Sequence, residues 1–251
     1  MSIPGGCFPA PRYDPDVLRA ILFDFNGVLV DDEPIHLEIL QRVLADEGVA
    51  LSAEDYYARY LGLDDRACFA AALGSAGEAA TVPRLMRLIA RKASYYQERI
   101  RRSGYPFFPG AVELVTALAA GGRMLGVVSG ALLEEVEGAL RQAGILGRFK
   151  VLVTAEDVGE GKPHPEGYLR ALEALNSQPP LPERLLHPHE VLAIEDSPAG
   201  LAAAADAGLA TLAVAHTYPA DRLRGADAVA PSLRDLTLER LERLFSEVSR
   251  Q

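Results

Sequence analysis

The chain has 251 residues, 49% of them hydrophobic, enough to fill the core of one α/β domain carrying a smaller insertion. A formal net charge of −10 excludes a general nucleic-acid binder, which needs a cationic surface to displace phosphate counterions. No apolar run reaches the length of a membrane span, and the two cysteines, Cys7 and Cys68, are too few for a disulfide framework or a zinc site. A cytoplasmic protein without a nucleic-acid or membrane partner is therefore expected; the sequence leaves its oligomeric state open, with a monomer as the default expectation.

Residues 1–17 combine Pro and Gly without the basic start and apolar core of a signal peptide, and read as a flexible N-terminal extension. Branched apolar runs at 20–23, 124–128, 151–153, 191–194 and 211–214 predict five strands, with a short addition at 228–230. Helical spacing at 132–143, 166–175 and 199–207 alternates with them, which is the pattern of a parallel sheet covered by helices on both faces. From 33 to 102 no strand is evident; the segment predicts successive helices, and the Gly and Pro residues at 104–110 stop the last of them. The expected organisation is a core of 18–32 and 108–251 with a helical cap at 33–107.

Each predicted strand ends in residues that carry chemistry, at the edge where parallel α/β sheets bind ligands. The first ends in Asp24-Phe25-Asn26-Gly27-Val28, the second in Ser129-Gly130, and the fourth in Glu195-Asp196-Ser197-Pro198-Ala199-Gly200. Gly161-Lys162-Pro163-His164-Pro165 follows the third. A carboxylate nucleophile, a hydroxyl, an ammonium and an acidic pair gathered at one place suit phosphoryl transfer assisted by a hard metal ion. An acidic protein that binds phosphate needs such local positive charge.

These motifs, in this order, resemble the haloacid dehalogenase superfamily, and within it the branch of beta-phosphoglucomutase and phosphoglycolate phosphatase. The resemblance implies a Rossmann-like core with a helical cap and a Mg2+-dependent phosphatase acting on a small phosphorylated metabolite. It implies that Asp24 is the nucleophile and a metal ligand, that the Asn26 carbonyl and Asp196 ligate the metal, and that Glu195 supports it. Ser129 and Gly130 would hold the transferring phosphate, and Lys162 would bridge it to Asp24. The stretch 31–36 resembles the hinge into the cap, with His36 facing the substrate, and Gly62-Leu63-Asp64-Asp65-Arg66 resembles a substrate-reading loop with Arg66 as an anchor.

One position departs from the pattern. Phosphatases of this family carry a second aspartate two residues after the nucleophile, as general acid and base; here it is Asn26, whose amide cannot exchange a proton at neutral pH. Four readings follow: a slow phosphatase for substrates with good leaving groups, a binding protein without turnover, proton transfer by His36, or deamidation at Asn26-Gly27. A mutase is disfavoured, though kept as an alternative, because mutase relatives carry a basic residue where this sequence has Asp65 beside Arg66. His187 and His189 read as solvated, and Arg99, Arg101 and Arg102 as an exposed helix end.

Overall fold

A computed structural model describes residues 17–61, 63 and 65–248. The extension up to residue 16 with Cys7, and Gly62 and Asp64 of the proposed loop, lie outside the described residues. The chain divides into two compact units, one built from the sheet and its helices, the other spanning Val30–Phe108.

The first unit is a parallel sheet of β1 (Ala20–Phe23), β2 (Met124–Val128), β3 (Val151–Val153), β4 (Val191–Glu195), β5 (Ala210–Val214) and β6 (Ala228–Ala230). Their order is β3-β2-β1-β4-β5-β6, which puts β1 between two partners. All four β1 residues are buried, as a strand covered on both faces requires. Ala20 and Leu22 pack on one face with Tyr168, Ala171 and Leu175, and with Ala203 and Ala204. The pleat sends Ile21 and Phe23 to the other. Each Leu, Ile or Phe so buried contributes roughly 1.5–3 kcal/mol.

The second unit holds α1 (Glu33–Ala45), the short turn α2 (Ala53–Asp55) running into a π-helical turn (Tyr56–Tyr60), α3 (Asp65–Ser75) and α4 (Val82–Ser103). Pro34 and Pro83 sit in the first turns of α1 and α4, where a missing N–H costs nothing. Gly104 ends α4 at φ 72° and donates its amide to the Ile100 carbonyl at 2.7 Å. The unit starts at Val30 because Val30 forms an antiparallel bridge with Phe107 and the Asp31 amide bonds the Pro106 carbonyl. Asp31 and Asp32 therefore belong with the helices, and Phe108 with them. In the first unit α5 (Ala111–Ala120), α6 (Leu133–Gln142), α7 (Glu166–Ser177), α8 (Pro198–Asp206) and α9 (Leu238–Val248) complete the two layers around the sheet.

Glu190, just before β4 and fully buried, ties the amino ends of two strands together. Its carboxylate accepts from Arg19 at 3.3 Å, Arg184 at 3.0 Å and the His187 amide at 2.9 Å. Burial alone would raise its pKa, but Arg184, the His187 amide and Arg19 outweigh burial and hold it below the ordinary Glu range. A carboxyl lowered on folding contributes fully above its unfolded pKa and loses that contribution as pH falls. Glu190→Ala should therefore cost about 2–3 kcal/mol at pH 7, the lower end for a broken buried pair because Arg184 reaches solvent. The difference from the native chain, read by urea unfolding, should shrink below about pH 4.5; a pH-independent cost would show that packing alone is lost.

Candidate active site

The carboxyl edge of the sheet is built by continuing its ladder. The Asp24 amide donates to the Ile194 carbonyl at 3.0 Å, and the Ser129 amide donates to Val153 at 2.9 Å. These bonds carry β1 and β2 one residue past their ends, fixing the backbone from which Asp24 and Ser129 project. Glu195 closes β4, and Asp196 follows it directly.

Asp24, Glu195 and Asp196 converge, each offering an oxygen within 4.8 Å of the others, at relative exposures of 8%, 0% and 5%. Lys162 reaches them from the loop before α7. Its ammonium donates to Asp24 Oδ1 and to the Val128 carbonyl at 2.9 Å, and pairs with Glu195 Oε1 at 2.6 Å. Tyr168, fully buried on α7, donates its hydroxyl to the same Glu195 oxygen at 2.5 Å.

Two glycines make room for the acids. A Cβ on Gly200 would stand 2.0 Å from Glu195 Oε2, and one on Gly27 would stand 2.0 Å from Asp196 Oδ2. Gly27 also adopts φ 80°, which side-chain-bearing residues rarely take. The helix following the acids is capped by Ser197, whose hydroxyl accepts from the Gly200 amide at 3.0 Å.

One ammonium faces three buried carboxylates, and their protonation shows the imbalance. Burial pushes the Asp24 pKa up to about 7; Lys162 opposes the rise and Glu195 adds to it. Asp196 lies well above the usual range, again through burial first, then through Asp24 and Glu195, with a hydrogen bond from Thr217 opposing. Lys162 is raised: burial favours its neutral form, but Asp24 and Glu195 outweigh that and keep it charged. Oxygen-only donors, excess negative charge and glycine-made room fit a hard divalent cation. Soft metals prefer sulfur or imidazole, which this set lacks.

The sequence-predicted residues separate between the two units. Asp24, Lys162, Glu195 and Asp196 come together as expected. Asn26 is half-buried on the turn after Asp24, and Ser129 is buried, its Oγ accepting from the Ala131 amide at 3.0 Å. Gly130 is exposed, with open space where a Cβ would be. His36 and Arg66 belong to the helical unit. Arg66 is exposed on α3.

His36 enters a polar string within the helical unit. Its Nδ1 lies 3.0 Å from Lys92 Nζ and its Nε2 3.3 Å from Asp32 Oδ2, and its ring stacks on Tyr96 at 4.8 Å. Tyr96 donates to Asp32 at 2.7 Å, and buried Lys92 pairs with Asp65. With Lys92 as donor, the neutral ring carries its proton on Nε2. His187 and His189 are exposed and stacked on each other, and Arg101 and Arg102 are exposed at the end of α4, with Arg99 partly so.

Sequence reasoning missed Tyr168, Thr217 and His216. Thr217 bonds Asp196, and His216 Nδ1 lies 3.0 Å from the Gly27 carbonyl. Both follow β5, so the strand-end rule that found the other residues would have found them.

Residues 21–214 match the family model described as haloacid dehalogenase-like hydrolase. The chain belongs to that family, and so to the hydrolases. It is 31% identical, over 87% of its length and 94% of the relative's, to validoxylamine A 7'-phosphate phosphatase of Streptomyces hygroscopicus subsp. limoneus. In fold it is similar to the crystal structure of CbbY from Rhodobacter sphaeroides in complex with phosphate. There the TM-score is 0.75 at 25% identity, over 90% of this chain and all of that one. It is also similar to beta-phosphoglucomutase from Clostridium difficile, with TM-score 0.77 at 21% identity, covering 94% of this chain and all of the other. These similarities bear out the family read from the motifs and the parallel-sheet fold.

Proposed function

We propose that this chain is a Mg2+-dependent phosphatase that removes phosphate from a small phosphorylated metabolite through a phospho-aspartyl intermediate on Asp24, with turnover lowered by Asn26. The carrying observation is the convergence of Asp24 and Lys162 with Glu195 and Asp196 at one sheet edge. The relative named a phosphatase and the CbbY crystal structure with phosphate support the substrate class.

Asp24, Asp196 and the Asn26 carbonyl would hold the cation, with Glu195 supporting it. When bound, Mg2+ neutralises phosphate charge and so lets an anionic nucleophile approach. The other tasks fall to the chain. Asp24 supplies the attacking oxygen, and Lys162 orients that carboxylate and places its positive charge where the equatorial phosphate oxygens gain negative charge. The Ser129 hydroxyl and the Gly130 amide complete the phosphate cradle. Tyr168 fixes the Glu195 carboxylate against rotation. We assign substrate reading and exclusion of water to the helical insertion at 33–107 acting as a cap, with His36 and Arg66 as its candidate contacts.

Asn26 favours a second reading, a phosphate-binding regulatory protein without turnover. A mutase is the weaker alternative, because Asp65 pairs with Lys92 and leaves that ammonium less able to hold a second phosphate.

The test is phosphate release from p-nitrophenyl phosphate, acetyl phosphate and a panel of sugar phosphates, with Mg2+ and with chelator. The native chain should release phosphate only with metal, and Asn26→Asp should accelerate the sugar phosphates by about 10²–10⁴-fold, the usual worth of a general acid or base. A silent native chain with an active Asn26→Asp variant identifies the binding protein. Silence from both overturns the assignment of Asp24.

A further inference from the structure

Resting on the phosphatase reading, we propose that the substrates are phosphates whose leaving oxygen departs without a proton, acyl phosphates foremost.

When Asp24 attacks phosphorus, the bond to the leaving oxygen breaks and its electron pair stays on that oxygen. What the oxygen then needs depends on its basicity. An alkoxide, comparable in basicity to hydroxide, must be protonated as it leaves. A phenolate needs less help at about 10, and a carboxylate none at about 4.

Asn26 offers only an amide at the position of the missing acid. Ser129 offers only an alcohol hydroxyl, no stronger an acid than the alcohol it would protonate, and the other proton-bearing groups around Asp24 in the sheet unit are engaged with the chain itself. Lys162 directs its three N–H groups to Asp24, Glu195 and the Val128 carbonyl. Tyr168 gives its proton to Glu195, and Thr217 bonds Asp196. His216 bonds the Gly27 carbonyl through Nδ1.

An acyl phosphate removes the need for a donor. Its scissile bond joins phosphorus to a carboxylate oxygen, the same bond that forms on Asp24. The first step then exchanges one carboxylate for another, near balance in energy, with no proton moved. In the second step water attacks phosphorus, the electron pair returns to Asp24, and the proton of the water ends on the phosphate product or in solvent. That step is common to every substrate. It lacks a base, so phospho-Asp24 accumulates when the first step is fast.

The experiment measures kcat/KM for acetyl, 2,4-dinitrophenyl, p-nitrophenyl, phenyl and sugar phosphates with the native chain, Asn26→Asp and His216→Gln, and follows phospho-enzyme by intact mass. The native chain should lose at least about 10³-fold from acetyl to phenyl phosphate, within the worth of general acid catalysis. It should also gain the mass of one phosphoryl group under acetyl phosphate. Asn26→Asp should flatten the series by accelerating its high-pKa end, and His216→Gln should leave the native slope unchanged. A flat native series with phospho-enzyme present overturns this inference and leaves the phosphatase standing; a slope that steepens in His216→Gln makes His216 the donor and overturns it equally. No phospho-enzyme and no release from any substrate overturns the phosphatase reading itself.

Discussion

Asp24→Asn should abolish phosphate release, by at least about 10⁴-fold, while making the metal-free protein more stable at neutral pH. The two effects share one cause. The carboxylate proposed to attack phosphorus is buried beside Glu195 and Asp196, and its pKa is pushed from 3.8 to about 7, burial being the largest contribution. A carboxyl raised on folding binds its proton more tightly in the folded chain, so stability falls as pH rises from its unfolded to its folded value. The metal-free native protein should therefore lose thermal stability between about pH 4 and pH 7. Asp24→Asn, of the same shape and without the charge, should flatten that decline. Thermal midpoints across this range with chelator test it, and a native curve that stays level to pH 7 would show that the cluster is solvated. A stabilised, inactive variant is the signature of a residue kept for chemistry at the expense of the fold.

Lys162→Met should have the largest destabilising effect. The substitution keeps most of the side-chain volume and deletes the ammonium bonded to Asp24 and Glu195, leaving buried carboxylates and the Val128 carbonyl without it. Removing one partner of a buried ion pair costs about 3–5 kcal/mol, because the other charge stays out of water. Carboxyls can escape by taking up protons, so the cost should be full near pH 8 and markedly smaller near pH 5. Urea unfolding at both pH values, in chelator, reads the difference. A cost below about 1 kcal/mol at pH 8 would place the lysine with exposed pairs. Phosphate release should be lost in the same variant.

The parallel sheet is legible in the sequence because strands buried on both faces must be apolar throughout, as 20–23 and 191–194 are. The acids and the lysine are legible because such a sheet brings strand ends together whatever their spacing in the chain. The partners of those groups were not. Tyr168 meets Glu195 across 27 positions, and nothing in a helical pattern distinguishes a core tyrosine from one whose hydroxyl holds a carboxylate. Asp32 and His36 at the start of α1, Asp65 on α3, and Lys92 and Tyr96 on α4 come from separate helices, whose periodicity shows which face is apolar but not which polar group will meet which. Gly200 reads as a helix residue, and its use as space for Glu195 exists only once β4 and α8 are folded.

The placing of β1 between β2 and β4 has a consequence for synthesis. Asp24 precedes Lys162 by 138 residues, and β1 cannot complete its pairing until β4 has been made. At translation speeds of about 5–20 residues per second, Asp24 waits roughly 7–28 seconds before its counter-ion is polymerised. During that interval the four helices of Val30–Phe108 can gather their own core, since their contacts are nearer in sequence. The mutually repelling carboxylates thus meet only near the end of synthesis, when most of the sheet that must hold them is already made.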